Sequence, residues 1–373
     1  MTRDHVVIAP DKFKGSLTAA EVAGHVAAGL RRARPGIPFI LLPVADGGDG
    51  TVDAAVASGF SRVRTAVTGP TGEPLVASYA VRGTTAVVEL AEASGLRRLP
   101  GEFAPLTASS RGTGQLVDAA LRGGARRIVL GLGGSACTDG GAGMAAALGV
   151  RFLDERGVDL PPGGGALRRL ASVDIGSLPS RLAGVEVIVA SDVDSPLLGQ
   201  DGAAMVFGPQ KGASATQVRE LEEGLARLVS VLPQGAVHER AGAGAAGGVG
   251  FGAMAFLGAT VRPGIDFLLD LLGFTDAVRG ARLVVTGEGS LDRQSLRGKA
   301  PVGVARAAAR EGVATIAVAG HRALTGEQLR KAGIQDAFAL IDIEPDPVRC
   351  MAEAGPLLER LVAERIVPAW LTD

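Results

Sequence analysis

Short, largely apolar runs recur along the chain and read as buried strands: residues 5–10, 39–44, 128–132, 185–190, 282–286, 314–319 and 337–341. Segments 16–34, 51–58, 215–232, 299–311 and 326–332 read as the helices between them, the first opened by a possible capping box, Thr18-x-x-Glu21. Strand and helix alternate at both ends of the chain, the pattern of a parallel sheet with crossover helices. The rhythm changes at 62–91. Three strands, 62–68, 75–82 and 85–91, are parted only by Gly69-Pro70-Thr71-Gly72 and Gly83-Thr84, which predicts an antiparallel meander. The simplest arrangement is an α/β fold of two domains. A discontinuous Rossmann-like or flavodoxin-like parallel-sheet domain, residues 1–63 and 276–373, is interrupted by a mixed α+β domain over 64–275. An active site is then expected in the cleft between domains.

Composition narrows the function. The 373 residues exceed the roughly 250–300 at which single cores divide. The 55 glycines are far above the usual share of about 7% and cluster after apolar runs, where loops need unusual backbone angles. A net charge of −1 and 3% aromatic residues argue against nucleic acid as partner. Cys137 and Cys350 make no disulfide framework, which fits a reducing cytoplasm. No signal peptide is legible, because Asp11, Lys12 and Lys14 closely follow the first apolar run. Residues 241–261 are uncharged, but dense Gly and Ala give them little drive to enter a membrane.

Five strands run into polar loops that carry carboxylates: Asp11, Asp46 with Asp49, Asp139, Asp192 with Asp194, and Glu288 with Asp292. Ligands of open α/β sheets bind outside the carboxyl ends of the strands. Concentrated acids call for a cation, and Mg²⁺ carrying a phosphorylated nucleotide is a natural one. Asp46 and Asp49 read as Mg²⁺ or water ligands, or as caps for the helix at Thr51. Gly133-Gly134-Ser135 through Asp139-Gly140-Gly141 reads as a backbone cradle for an anion, leading into a helix. Ser110 and Arg111, at the start of another helix, form a receptor for carboxylate or phosphate. Lys14 and Lys211 offer cations for phosphate oxygens. Two motifs mislead. Gly242-x-Gly244-x-x-Gly247 follows no convincing strand, and Gly298-Lys299 lacks the rest of a P-loop.

These runs together resemble the bacterial type I glycerate kinases. The matching stretches include IAPDKFKGSLTA, PVADGGDGT, SSRGTGQL, GLGGSACTDGGAGM, SDVDSPLLG, FGPQKGA, GAGAAGGVGFG and VVTGEGSLD followed by GKAPVGVA, from Val6 to about residue 321. The resemblance implies the glycerate kinase I fold and ATP- and Mg²⁺-dependent phosphorylation of D-glycerate, usually to 2-phosphoglycerate, with 3-phosphoglycerate as the alternative. On that basis the expected roles are as follows. Asp192 accepts the hydroxyl proton and Lys14 assists, while Ser110 and Arg111 hold the glycerate carboxylate. Gly133, Gly134, Ser135, Asp139 and Lys211 bind nucleotide phosphate, and Asp46, Asp49 and Glu288 hold Mg²⁺. Ser290, His321 and Asp194 depart from the family pattern. The expected partners are D-glycerate and ATP, in a cytoplasmic monomer or homodimer with no membrane. The competing classes are a nicotinamide-dependent hydroxy-acid oxidoreductase, opposed by the misplaced glycine motif, and a non-catalytic small-acid binding protein, opposed by the surplus of acids.

Overall fold

The computed structural model describes residues 4–233 and 235–372. Strands are numbered along the chain. Two compact units emerge, Met1–Asp46 with Asp53–Ser58 and Ile265–Asp373, and Gly47–Val52 with Gly59–Gly264.

The first unit holds a wholly parallel sheet of β1 (His5–Pro10), β2 (Phe39–Leu41), β11 (Ala281–Leu291), β12 (Thr315–Arg322) and β13 (Asp336–Ala339), in the order β13-β12-β11-β1-β2. Both faces are covered, so β1 reads as a continuous apolar run. Val6 and Ile8 join Val22, Val26 and Leu30 of the helix Ala19–Ala33 with Leu358 and Leu361 of the last helices. Ala317 and Ala319 pack on the opposite face with Val302 and Ala305 of the helix Ala300–Arg310. Each buried Val, Ile or Leu among these stabilises the unit by roughly 1.5–3 kcal/mol, and each alanine by less. The helix Ala19–Ala33 starts where its capping box places it, with Thr18 and Glu21 bonding reciprocally, three residues later than the sequence suggested.

One expectation fails here. The sequence predicts a loop over residues 287–292, but β11 runs on to Leu291. Gly287, Glu288 and Ser290 stay in register with Val318, Ala319 and His321. Past Gly287, where the pairing with β1 ends, β12 alone supplies the hydrogen-bonding partners that override the poor strand propensity of Gly-Glu-Gly.

The second unit holds a six-stranded sheet in the order β10-β9-β6-β5-β4-β3, built from β3 (Ser61–Thr68), β4 (Pro74–Arg82), β5 (Thr85–Glu89), β6 (Arg127–Gly131), β9 (Glu186–Ala190) and β10 (Thr260–Arg262). The first three strands are the expected antiparallel meander, and β5, β6, β9 and β10 run parallel. A small ribbon pairs β7 (Arg151–Leu153) with β8 (Ser172–Asp174). Leu116 and Val117 of the helix Arg111–Arg122 pack with Ile128, Leu130, Met144 and Phe251 in one core. The uncharged stretch near 241–261 supplies the buried helix Ala245–Leu257. Among the described residues no helix is long and apolar enough to cross a membrane.

Candidate active site

In the second unit the chain leaves β6 at Gly131 and turns through residues 133–141 into the helix Ala142–Ala147. Asp139 lies fully buried at the heart of this turn. Its Oδ2 accepts from the Ser110 N–H at 2.8 Å, the Ser110 hydroxyl at 2.9 Å and the Gly143 N–H at 3.2 Å, and more distantly from the Ser109 hydroxyl. Oδ1 accepts from the Gly141 N–H at 3.1 Å. Ser110 Oγ in turn accepts from the Met144 N–H at 2.8 Å. A Cβ on Gly143 would fall 2.1 Å from Ser109 Oγ, so only glycine fits beneath the clamp.

This geometry bears on two expectations. Asp139 faces inward as a structural anchor rather than toward a phosphate. Ser110 spends its hydroxyl on Asp139 and Met144 rather than on a substrate. The neighbouring Ser109 instead lines a small cavity of about 70 Å³ with the exposed Arg111, against the apolar side chains of Phe152, Leu160 and Leu167.

Lys211 departs from expectation more sharply. It is 3% exposed, and its ammonium donates to Ser135 Oγ at 2.8 Å and to the Cys137 carbonyl. Burial pulls its pKa down from 10.5 to about 8, opposed by the nearby Cys137 and Asp139. The misleading glycine motif explains its own presence here. Ala246, Gly247 and Gly248 are all left-handed, and Ala246 is the sole non-glycine with positive φ among the described residues. A Cβ on Gly247 would stand 2.1 Å from the Cys137 carbonyl oxygen and 2.8 Å from Lys211 Nζ. The Gly247 carbonyl accepts from the Gly140 N–H at 3.0 Å. The motif interlocks two glycine-rich loops around one ammonium and forms no strand-to-helix dinucleotide turn.

Residues 47–52 lie against the ends of β6 and β9. A Cβ on Gly47, whose φ is +88°, would meet the Ala190 carbonyl oxygen at 2.3 Å, and one on Gly133 would meet Gly48 Cα at 2.3 Å. Glu89, 2% exposed at the end of β5, holds this loop by accepting from the Gly50 and Val52 N–H groups, each at 3.1 Å. Burial, reinforced by Asp49 and Glu92, pushes Glu89 up to about 8 against those two bonds. Asp49, expected as a metal ligand, forms an ion pair with the exposed Arg97. Asp192 is exposed, and its Oδ1 accepts from the Gly264 N–H at 2.9 Å. Gly134 is exposed with φ +74°, whereas Ser135 is buried.

In the first unit, β1 and β11 are adjacent although β1 connects onward to β2 on the other side, so the chain reverses direction across the sheet between them. Ligands of open parallel sheets bind at such a switch point. Asp11, at the end of β1, donates its N–H to the Gly287 carbonyl. Its carboxyl is pushed up to about 7 by burial, then by Asp46, with a smaller contribution from Glu288. Glu288 is raised by burial too, and its Oε1 is buried with no hydrogen-bond partner. Lys299 Nζ stands 4.0 Å from Glu288 Oε2, and Lys14 is exposed on the turn after β1. Among the described residues no three His, Cys, Asp or Glu side chains form a ready-made metal site.

Sequence reasoning missed Glu89, named Asp11 among the loop carboxylates without giving it a role, and chose Ser110 over Ser109. Asp11 and Glu89 each carried a usable signal, a carboxylate ending an apolar run. Ser109 carried none that separates it from Ser110.

Acids at the ends of parallel strands and glycine-rich turns onto helices define an α/β protein of the kind that handles small anionic ligands. The comparisons make this particular. The chain belongs to the glycerate kinase family, whose sequence model matches residues 6–371. It is 43% identical to a glycerate kinase of Halalkalibacterium halodurans over 98% of both chains. It is also 43% identical to the glycerate 2-kinase of Escherichia coli over 90% of both. The crystal structure of a putative glycerate kinase 2 from Salmonella typhimurium superposes with a TM-score of 0.84 at 39% identity, covering 98% of each chain.

Proposed function

We propose that this chain transfers the γ-phosphoryl group of ATP to D-glycerate, giving 2-phosphoglycerate and ADP. The observation that carries this reading is the 43% identity, over nine-tenths of both chains, to a relative named glycerate 2-kinase. The second unit is read as a domain inserted into the first, with boundaries near residues 63 and 276.

On the second unit, Arg111 receives the glycerate carboxylate, with Ser109 beside it in the cavity. A planar guanidinium suits a carboxylate better than an ammonium does. Asp192, oriented by the Gly264 N–H, accepts the proton of the attacking hydroxyl. The turn at Gly133, Gly134 and Ser135 receives a phosphate of ATP. On the first unit, Lys14 neutralises phosphate oxygens as charge builds.

The residues present fit a magnesium ion. Glu288 carries a buried oxygen without a partner, and burial together with the nearby Asp46 disfavours the ionisation of Asp11. Such a hard-oxygen set suits Mg²⁺, which takes one or two carboxylates and completes its shell with phosphate and water oxygens, so no closed protein cage is needed. Asp46, Glu288 and Asp11 would hold it, and it would supply charge neutralisation to the phosphate oxygens.

The test incubates the protein with ATP, Mg²⁺ and D-glycerate and follows ADP release and the product's phosphorus and carbon NMR spectra. A phosphorus coupled to C2 is the expected result. A phosphorus on C3 makes the product 3-phosphoglycerate, and no ADP release overturns the reading.

A further inference from the structure

Lys211 is a charge kept inside the second unit with neutral partners, the Ser135 hydroxyl and the Cys137 carbonyl. Burying an ammonium is unfavourable, and the nearby Asp139 offsets only part of that cost, since the net effect still pulls the Lys211 pKa down. The fold also accepts backbone strain around it. The left-handed run from Ala246 to Gly248 opens the space that Nζ and the Cys137 carbonyl occupy. Two costs incurred at one atom call for a reason beyond packing.

The hydrogen-bond polarity at Ser135 supplies one. Its Oγ accepts from the ammonium, so its own hydrogen must point to another acceptor. A hydroxyl that accepts from a cation is also a stronger donor. Ser135 sits in the glycine turn directly after Gly133 and Gly134.

We propose that Lys211 is a positioning residue for phosphate binding: its buried ammonium fixes the Ser135 hydroxyl as a donor, and holds the Cys137 carbonyl, so that the turn at residues 133–135 receives a phosphate group of ATP. This rests on the reading that the turn binds ATP. The remaining titratable groups near Nζ are Asp139, whose oxygens are engaged by Ser110, Gly141 and Gly143, and the Cys137 thiol, which burial pushes up. Lys211 is therefore the group expected to lose its proton first there as the pH rises through about 8.

The experiment is a double-mutant cycle on steady-state kinetics with Lys211→Met, Ser135→Ala and both together, each checked for folding by circular dichroism. Either single change should raise the KM for ATP about tenfold or more, as expected for loss of a hydrogen bond to a charged group, while the KM for D-glycerate stays within about twofold. The double variant should be no worse than Lys211→Met, because one residue acts through the other. If Ser135→Ala raises the KM for ATP and Lys211→Met does not, or if the two effects add, the proposal for Lys211 is overturned and the reading of the turn stands. If Ser135→Ala leaves ATP kinetics unchanged, the reading of the turn fails, and this proposal with it. Should Lys211→Met not fold, the wild-type pH profile decides. A KM for ATP that climbs above pH 8 in wild type and in Asp192→Asn alike supports the proposal, and a flat profile to pH 9.5 overturns it.

Discussion

Asp139 Oδ2 accepts from the Ser110 N–H at 2.8 Å, and this bond ties the start of the helix Arg111–Arg122 to the turn after β6. Removing the carboxylate strands several buried donors at once, each costing about 1–3 kcal/mol. Asp139→Ala should lower the unfolding free energy by about 3 kcal/mol or more in urea titrations at pH 7. Asp139→Asn should recover part of that. A loss below about 1 kcal/mol for the alanine variant would show the clamp to be dispensable.

Arg111 should act on one substrate alone. Arg111→Ala is expected to raise the KM for D-glycerate about 10- to 100-fold, the usual worth of a charge-assisted bond, with the KM for ATP nearly unchanged. Arg111→Lys should restore only a fraction, because an ammonium cannot form the paired bonds of a guanidinium. Steady-state kinetics with each substrate varied separately checks this.

Glu288 and Asp49 should part company in their metal response. Glu288→Gln is expected to raise the Mg²⁺ concentration for half-maximal activity about tenfold, whereas Asp49→Asn, whose carboxylate pairs with Arg97, should leave it unchanged. Mg²⁺ titrations at fixed total ATP measure both.

Glu89 gives the stability a defined pH dependence. Its pKa stands near 8 in the folded chain against 4.5 ordinarily, so the folded state binds the extra proton. The stability this contributes is fully present below about pH 4.5 and is lost as pH rises toward and through 8. Glu89→Gln does not titrate there. The difference in unfolding free energy between variant and wild type should therefore move in the variant's favour between pH 4.5 and 8, by up to about 4 kcal/mol. Denaturant unfolding at several pH values would show it, and a constant difference would contradict it.

Much of the fold was legible because strand runs and turn residues agreed. β1 is a run of apolar residues ended by a proline, and the antiparallel strands are separated by glycine turns. The end of β11 was not legible, since Gly287-Glu288-Gly289 looks like a loop until β12 is laid beside it. The site was legible as a set of loops and less so residue by residue. Sequence cannot say which of the adjacent serines 109 and 110 turns inward, because that depends on where Asp139 sits 29 positions later. Sequence also reads Lys211 as a loop cation for phosphate oxygens, since nothing local shows that residues 246–248 will close over it.

The pairing of β1 with β11 has a consequence for how the chain is made. Thr286 Oγ1 bonds to the Ala9 carbonyl across 277 positions, and β1 is an interior strand of its sheet. At about 5–20 residues per second, a nascent chain spends tens of seconds with β1 and β2 synthesised and β11 still missing. Through that interval one edge of β1 lacks its native neighbour, while all the strands of the six-stranded sheet emerge before β11 does. Birth order thus inverts sequence order: the interior segment can complete its sheet first, and the amino terminus is the part that waits, with an apolar edge open to mispairing and to chaperones.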